Sequence, residues 1–154
     1  MPVYTFRKTQ LIPCSIDQLW DFIASPQNLK RITPPYMGFD VLSTDLPEKM
    51  YAGMIIAYHV SPLMGFKTIW VTEITHVNNL KYFVDEQRVG PYKMWHHQHL
   101  TVPVEGGVLM TDIIDYQPPF GFLGAIANRL VIRNKLEEIF SFRKEKLEQI
   151  FGKF

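Results

Sequence analysis

The sequence predicts an α+β fold: a meander of antiparallel strands closed by one long C-terminal helix. Three observations carry this. From Phe39 to Gln117 apolar residues recur close to period two, and short turn-forming clusters cut the run at regular intervals. From about Leu123 to Phe151 proline is absent, and glycine occurs only at Gly124 and, just past the end, at Gly152. Between the first strand and the meander lie two compact helix-start signals, at Ser15 and at Ser25-Pro26.

In chain order, Val3 to Leu11 alternates, with Tyr4 and Phe6 opposite Val3, Thr5 and Arg7, and predicts a first strand. Pro13 ends it. Ser15 can cap a helix because its hydroxyl accepts from amides that have no partner in the first turn. Ile16, Leu19, Trp20 and Ile23 then follow at helical spacing, with Trp20 as a core anchor. Ser25 caps a second short helix that starts on Pro26 and points Leu29 and Ile32 inward. Thr33-Pro34-Pro35 stops it, since proline cannot continue a helix. Six strands follow, near Gly38–Thr44, Met54–Val60, Phe66–Val77, Leu80–Gln87, Met94–Val102 and Val108–Gln117. Leu46-Pro47-Glu48, Ser61-Pro62, Asn78-Asn79, Val89-Gly90-Pro91 and Glu105-Gly106-Gly107 form the turns between them. Such short loops make the strands antiparallel. The last helix places Ile132, Leu136, Ile139, Phe140, Arg143, Leu147 and Ile150 on one face. At about 28 residues it is about 42 Å long and must lie across the sheet.

Composition narrows the function. A chain of 154 residues, 47% apolar and 20% charged, predicts one globular domain over 1–154 with a substantial core. Sixteen basic against fifteen acidic residues give a net charge of +1 with no basic stripe, so nucleic-acid binding lacks its electrostatic footprint. Cys14 is the sole cysteine, which excludes an internal disulfide and a multi-cysteine zinc site. No apolar run matches a signal peptide or a membrane span, so a cytoplasmic protein is expected. Aromatics reach 14%, enough either to fill a core or to line a cavity.

Chemistry concentrates in the ribbon Phe83 to His99, FVDEQRVGPYKMWHHQH, which holds three of the five histidines. His97 and His99 are two apart on a strand and share a face with Trp95; Met94, His96 and Gln98 share the other. The Trp95 face is expected inward because it carries the bulkiest apolar residue. Two histidines plus Asp85 or Asp112 from the flanking strands could approach a zinc site, but only two ligands are clearly indicated and no metal is expected. The same groups could do acid–base work, with Asp85, Asp112 or Glu86 orienting an imidazole. They could equally be cross-strand pairs with no chemistry, Arg88 included. Arg129, Arg133 and Arg143 could receive an anionic head group; Arg143 lies on the apolar stripe, where a salt bridge to a sheet carboxylate is the simpler role. No phosphate-binding glycine loop or Gly-x-Ser-x-Gly elbow is present.

Four stretches carry a family resemblance: Leu19-Trp20-Asp21-Phe22; Ser25-Pro26-x-Asn28-Leu29 with Thr33-Pro34-Pro35; the ribbon; and Asp115-Tyr116-Gln117-Pro118-Pro119-Phe120-Gly121. With the element order, they resemble the helix-grip fold of the START-like (SRPBCC) superfamily. That superfamily includes polyketide cyclases and the birch-pollen-allergen type of lipid carriers. The stretches look closer to a bacterial branch often labelled cell-division inhibitors or cyclase-like proteins. The resemblance implies a seven-stranded antiparallel sheet wrapped around the long helix, with two short helices after the first strand and a hydrophobic cavity between sheet and helix. It shares no catalytic motif to carry over.

On that picture the ligand-binding residues are Trp70, Phe83, Trp95, His97, His99, Met110, Tyr116, Ile126 and Leu130. Tyr36 and Met37 are rim residues, and the apolar loop Ser61–Phe66 is a further rim element or a homodimer contact. The leading expectation is binding of a hydrophobic small molecule (a lipid, polyketide or aromatic metabolite) without a cofactor. The alternatives are a cyclase, dehydratase or hydrolase using His97 or His99 with Asp85 or Asp112, and a protein-interaction module without a ligand.

Overall fold

The computed structural model describes residues 2–61 and 65–154. Strand β1 (Tyr4–Ile12) leads into helix α1 (Ile16–Ile23). Ser15 caps α1 as its sequence requires: its hydroxyl accepts from the Gln18 amide at 3.2 Å, and the Gln18 side chain accepts from the Ser15 amide at 3.0 Å. The second short helix, Pro26–Ile32, winds as a tighter 3₁₀ segment, and a further 3₁₀ turn covers Pro35–Met37.

The meander runs through β2 (Asp40–Val41), β3 (Ile55–Val60), β4 (Thr68–Asn78), β5 (Tyr82–Val89), β6 (Met94–Val104) and β7 (Gly107–Gln117). All seven strands form one antiparallel sheet in the order β1-β7-β6-β5-β4-β3-β2. The strand expected over Gly38–Thr44 is real but only two residues long. Leu42 and Ser43 leave the ladder, both amides reaching the Ala57 carbonyl. The apolar loop Ser61–Phe66 falls partly outside the described residues; Phe66, at its end, is exposed.

Side-chain alternation decides what faces the long helix. In β7, Val108, Met110, Asp112, Ile114 and Tyr116 are all buried. The inward set on β6 is Trp95, His97, His99 and Thr101, and on β4 it includes Trp70, Thr72 and Ile74. Two register shifts between β4 and β5, at Val71/Thr72 and Ile74/His76, bend the middle of the sheet. Arg88 lies beside the first, turned outward to Glu73 at 2.5 Å and Glu86 at 3.4 Å. It is therefore not a partner of the ribbon histidines or of Asp85.

The C-terminal helix starts earlier than expected and is not uniform. Helix α2 (Gly121–Ala127) passes through a π-helical turn (Asn128–Ile132) into α3 (Arg133–Phe151). Its buried stripe is Gly124, Asn128, Ile132, Leu136 and Phe140, spaced by four, and then Leu147. A β-carbon at Gly124 would collide with the Pro119 carbonyl oxygen, so only glycine lets the helix start this close to the preceding turn. Asn128 faces the sheet and accepts a hydrogen bond from the Tyr116 hydroxyl at 2.6 Å. Ile126 and Leu130 sit two positions from stripe residues and face outward, 51% and 65% exposed. Their expected place toward the sheet is corrected: the inward positions here are small or polar because the backbone lies close to β7 and its turn.

The core divides around the site. One cluster joins α1, the inner β-strand residues and Leu147; a second packs Phe6, Ile114 and Tyr116 against Ile132, Leu136 and Phe140. Leu147→Ala is expected to cost about 2–5 kcal/mol in urea unfolding, since it empties a fully buried site joining the helix end to α1. Ser15→Ala should cost about 1 kcal/mol, the usual worth of a helix cap.

Candidate functional site

Four ionisable side chains meet on the inner face of β5, β6 and β7. Asp85 pairs in register with His97, and His99 with Asp112. The four therefore form a staggered square, each histidine lying opposite one carboxylate and diagonal to the other. The imidazole rings of His97 and His99 lie 3.7 Å apart between centroids, tilted by 35°, and Phe83 stacks on His99 at 4.1 Å. From the helix, an Arg143 guanidinium nitrogen reaches Asp112 Oδ1 at 3.4 Å. The guanidinium carbon lies 4.6 Å from the centre of the Phe140 ring, over its face.

Hydrogen-bond capacity assigns the protons. His99 Nδ1 lies 2.9 Å from Asp112 Oδ1, and Nε2 lies 2.7 Å from Asp85 Oδ2. Ionised carboxylates only accept, so both nitrogens carry protons and His99 is an imidazolium. Burial alone would lower its pKa; the hydrogen bonds to Asp112 and Asp85 outweigh burial and raise it. His97 differs. Its Nε2 donates to Asp112 Oδ1 at 2.9 Å, while Nδ1 stands 3.6 Å from Asp85 Oδ2, beyond a hydrogen bond. Burial and the adjacent His99 charge push its pKa down, so His97 is a neutral imidazole with a bare Nδ1.

Both carboxyls stay ionised although buried. At Asp112 the bonds from His97 and His99 and the charge of Arg143 overcome desolvation and hold the pKa far below the carboxylate range. At Asp85 burial raises the pKa, and the neighbouring His97 and His99 with the Arg143 charge outweigh it and lower it. Two carboxylates thus face one imidazolium and one guanidinium, and the buried network is electrically neutral.

This network forms part of the wall of a cavity of about 140 Å³, partly open to solvent, between sheet and α3. Of the expected ligand residues, Trp70, Phe83, Trp95, His97 and His99 line it, together with Asp85. Trp95 and both histidines therefore face inward, and His96 faces out, with its Nδ1 2.8 Å from Glu86. Met110 and Tyr116 are buried but do not line this cavity. Met110 packs in the core around α1 and borders a much smaller hollow beside Asp112 and Arg143. The Tyr116 hydroxyl is taken by Asn128. Ile126 and Leu130 are too exposed to contribute, and Asp112 sits behind the histidines.

Several lining residues lie outside strand or helix periodicity; of these Met37 was expected at the rim, while Phe39 and Tyr92 gave no such signal. Met37 and Phe39 come from the 3₁₀ turn and the coil after it; Tyr36, also expected at the rim, is half exposed with the Lys135 ammonium over its ring. Tyr92 comes from the ribbon turn. The Gln87 side chain holds Tyr92 from both ends, donating to its carbonyl at 2.7 Å and accepting from its amide at 3.1 Å. Gly90 leaves room for that side chain, which any β-carbon there would strike. Tyr92 then joins Trp70 and Trp95 in a mutual edge-and-tilt cluster with centroids 4.9–5.7 Å apart.

Among the described residues, Asp85, His97 and His99 bring ligand-type atoms within 4.8 Å of one another. A divalent ion there would have to displace the His99 protons that bind both carboxylates.

The proton assignment gives signed pH effects. His99, raised in the fold, contributes stability that is complete below about pH 6.5, the ordinary histidine value, and is lost as pH rises through its folded pKa. His97, lowered, binds fewer protons folded than unfolded, so stability falls as pH drops below about 6.5. Urea midpoints between pH 5 and 8 should therefore peak near pH 6.5. His97→Gln should flatten the acid side and His99→Gln the basic side; profiles unaltered by either change would refute the assignment. Asp112→Asn should cost about 3–5 kcal/mol because it leaves buried cations uncompensated.

No protein-family model matches the chain, and no curated protein sequence matches it. Solved structures do. Protein Ms6760 from Mycobacterium smegmatis is 20% identical over 97% of this chain and 96% of its own, with a TM-score of 0.68. A protein from Arthrobacter aurescens is 14% identical over 94% and 86%, with a TM-score of 0.72. Ginseng major latex-like protein 151 from Panax ginseng is 12% identical over 97% of each chain, with a TM-score of 0.67. At these identities the likeness is one of fold, and with the seven-stranded antiparallel sheet and the long C-terminal helix it makes this an α+β helix-grip protein.

Proposed function

We propose that residues 1–154 act as one ligand-binding unit of the START-like (SRPBCC) type, taking a hydrophobic small molecule between the sheet and α3. The observation that carries this is the cavity itself: walls of Trp70, Trp95, Tyr92, Phe83 and Phe140 around about 140 Å³ of space, with polar groups confined to a few positions. A closed, filled interior would have favoured a module that binds only other proteins. An apolar cavity of about 150 Å³ is enough for a benzene ring. A molecule of about one ring therefore suits the space better than a long lipid, which needs a pocket of about 300 Å³ or more. No described helix is long and apolar enough to cross a membrane.

Catalysis is a second reading, favoured by one observation. His97 is neutral, oriented by Asp112 through Nε2, and keeps a bare Nδ1 at the cavity wall. That is the arrangement of an oriented general base. The substrate would occupy the same space.

Native mass spectrometry of protein purified from its own host should show a co-purified apolar ligand of low mass. Toluene should shift methyl resonances of the lining residues, and Ile139→Trp, which fills the cavity, should abolish the shift. Toluene shifts that persist unchanged in Ile139→Trp would place binding elsewhere and overturn the reading. For catalysis, His97→Ala should remove turnover while ligand affinity survives; equal loss of both would return the residue to binding or stability.

A further inference from the structure

The outer face of the C-terminal helix is apolar where the helix begins. Phe122, Ile126 and Leu130 are spaced by four and form one ridge, opposite the buried stripe of Gly124, Asn128 and Ile132. Leu123, Ala127 and Val131, each one residue further on, widen the ridge on one flank and are also exposed. Arg129 and Arg133, each three residues beyond a ridge residue, stand exposed on the other flank. Phe120, in the turn before the helix, is 81% exposed, and Phe122 is 75% exposed. A globular protein ordinarily turns the apolar side of such a helix inward. Scattered exposed apolar residues are normal, but a continuous apolar face marks a contact surface.

Charge identifies what the surface contacts. The register pairs Val60 with Thr68, Val71 with Val89 and Met94 with Gln117, so the exits of β3 and β7, the start of β4 and the β5–β6 turn share one end of the sheet. The segment before β2 joins them, since the Ser61 amide donates to the Met37 carbonyl at 2.7 Å. Residues 33–39, 65–69, 89–95 and 118–134 at this end contain none of the fifteen acidic residues. They carry Lys67, Lys93, Arg129 and Arg133, none of which makes a salt bridge among the described residues. Phe66, beside Lys67, is 73% exposed at the same end. A second copy seated symmetrically on the helix face would set arginines against arginines with no acid to balance them.

We propose that this face docks on an anionic lipid bilayer. The helix lies in the plane of the interface, with Phe120, Phe122, Ile126 and Leu130 among the upper acyl chains and Arg129 and Arg133 on headgroup phosphates. The aromatic and aliphatic side chains supply apolar burial, and the two guanidiniums choose the sign of the lipid. The surface is separate from the cavity between sheet and α3 and does not depend on what fills it.

Flotation of the full chain with lipid vesicles tests this. Vesicles of equal parts phosphatidylcholine and phosphatidylglycerol should carry the protein, and vesicles of phosphatidylcholine alone should carry it far less. Raised salt should weaken the binding. Arg129→Gln with Arg133→Gln should weaken binding to the mixed vesicles at least about tenfold, since each cation near an anionic surface is worth about fivefold. Phe122→Ser with Ile126→Ser and Leu130→Ser should abolish it, while an unchanged urea midpoint shows that these exposed positions leave the fold intact. Absence of binding to the mixed vesicles overturns the proposal. So does undiminished binding of the triple serine variant, which places adsorption elsewhere. A dimer of the native chain in lipid-free sedimentation that the triple serine variant dissociates assigns the face to a second copy and likewise overturns it. Toluene binding is read separately, so the cavity reading survives or fails independently of the vesicles.

Discussion

The structure depends on keeping Asp85, His97, His99, Asp112 and Arg143 together away from water. An isolated buried charge costs several kcal/mol, and removing one partner of a buried pair strands the other. These five residues come from three adjacent strands and the last helix, so none can be placed without the rest. A one-residue slip between β5 and β6 or between β6 and β7 would turn part of the set to the opposite face and leave the remaining charges unpaired. The same holds for rotation of α3, which would take Arg143 from Asp112. The network thus fixes the sheet register and the facing of the helix, which hydrophobic contacts alone specify less sharply. Replacement of such a set by apolar residues is often neutral for stability.

Much of this was legible in the sequence because it obeys simple periods. Trp95, His97 and His99 had to share a face, and the bulk of Trp95 placed that face inward. The carboxylates on the neighbouring strands were legible too, but not their joint use: Asp85 and Asp112 were alternatives, and both bind the same imidazole. Ser15 announced α1 through its capping chemistry. The strand boundaries came from proline, glycine and asparagine, whose backbone preferences are local.

What escaped was set by contacts rather than by period. Ile126 and Leu130 are apolar on a helix, and apolar residues on a helix ordinarily face the core. Here Gly124 and Asn128 take the inward positions, because β7 and the Pro118-Pro119 turn leave no room for more. The π-helical turn at Asn128–Ile132 keeps those two in line with Ile132 and Leu136, and no residue pattern marks it. Tyr92 and Phe39 reach the cavity from turn and coil, where sequence spacing says nothing about direction. The bend that makes the sheet concave comes from two β4–β5 register shifts, which are invisible until the strands are paired.

The cavity has a physical cause in these same features. Large residues can fill the space between a sheet and a helix when the sheet is flat enough to meet it. Here the bulged middle of the sheet curves away, while the charged set holds α3 at Asp112, near the β7 side. Trp70, Tyr92 and Trp95 spend their ring faces and edges on one another, so they line the gap instead of crossing it.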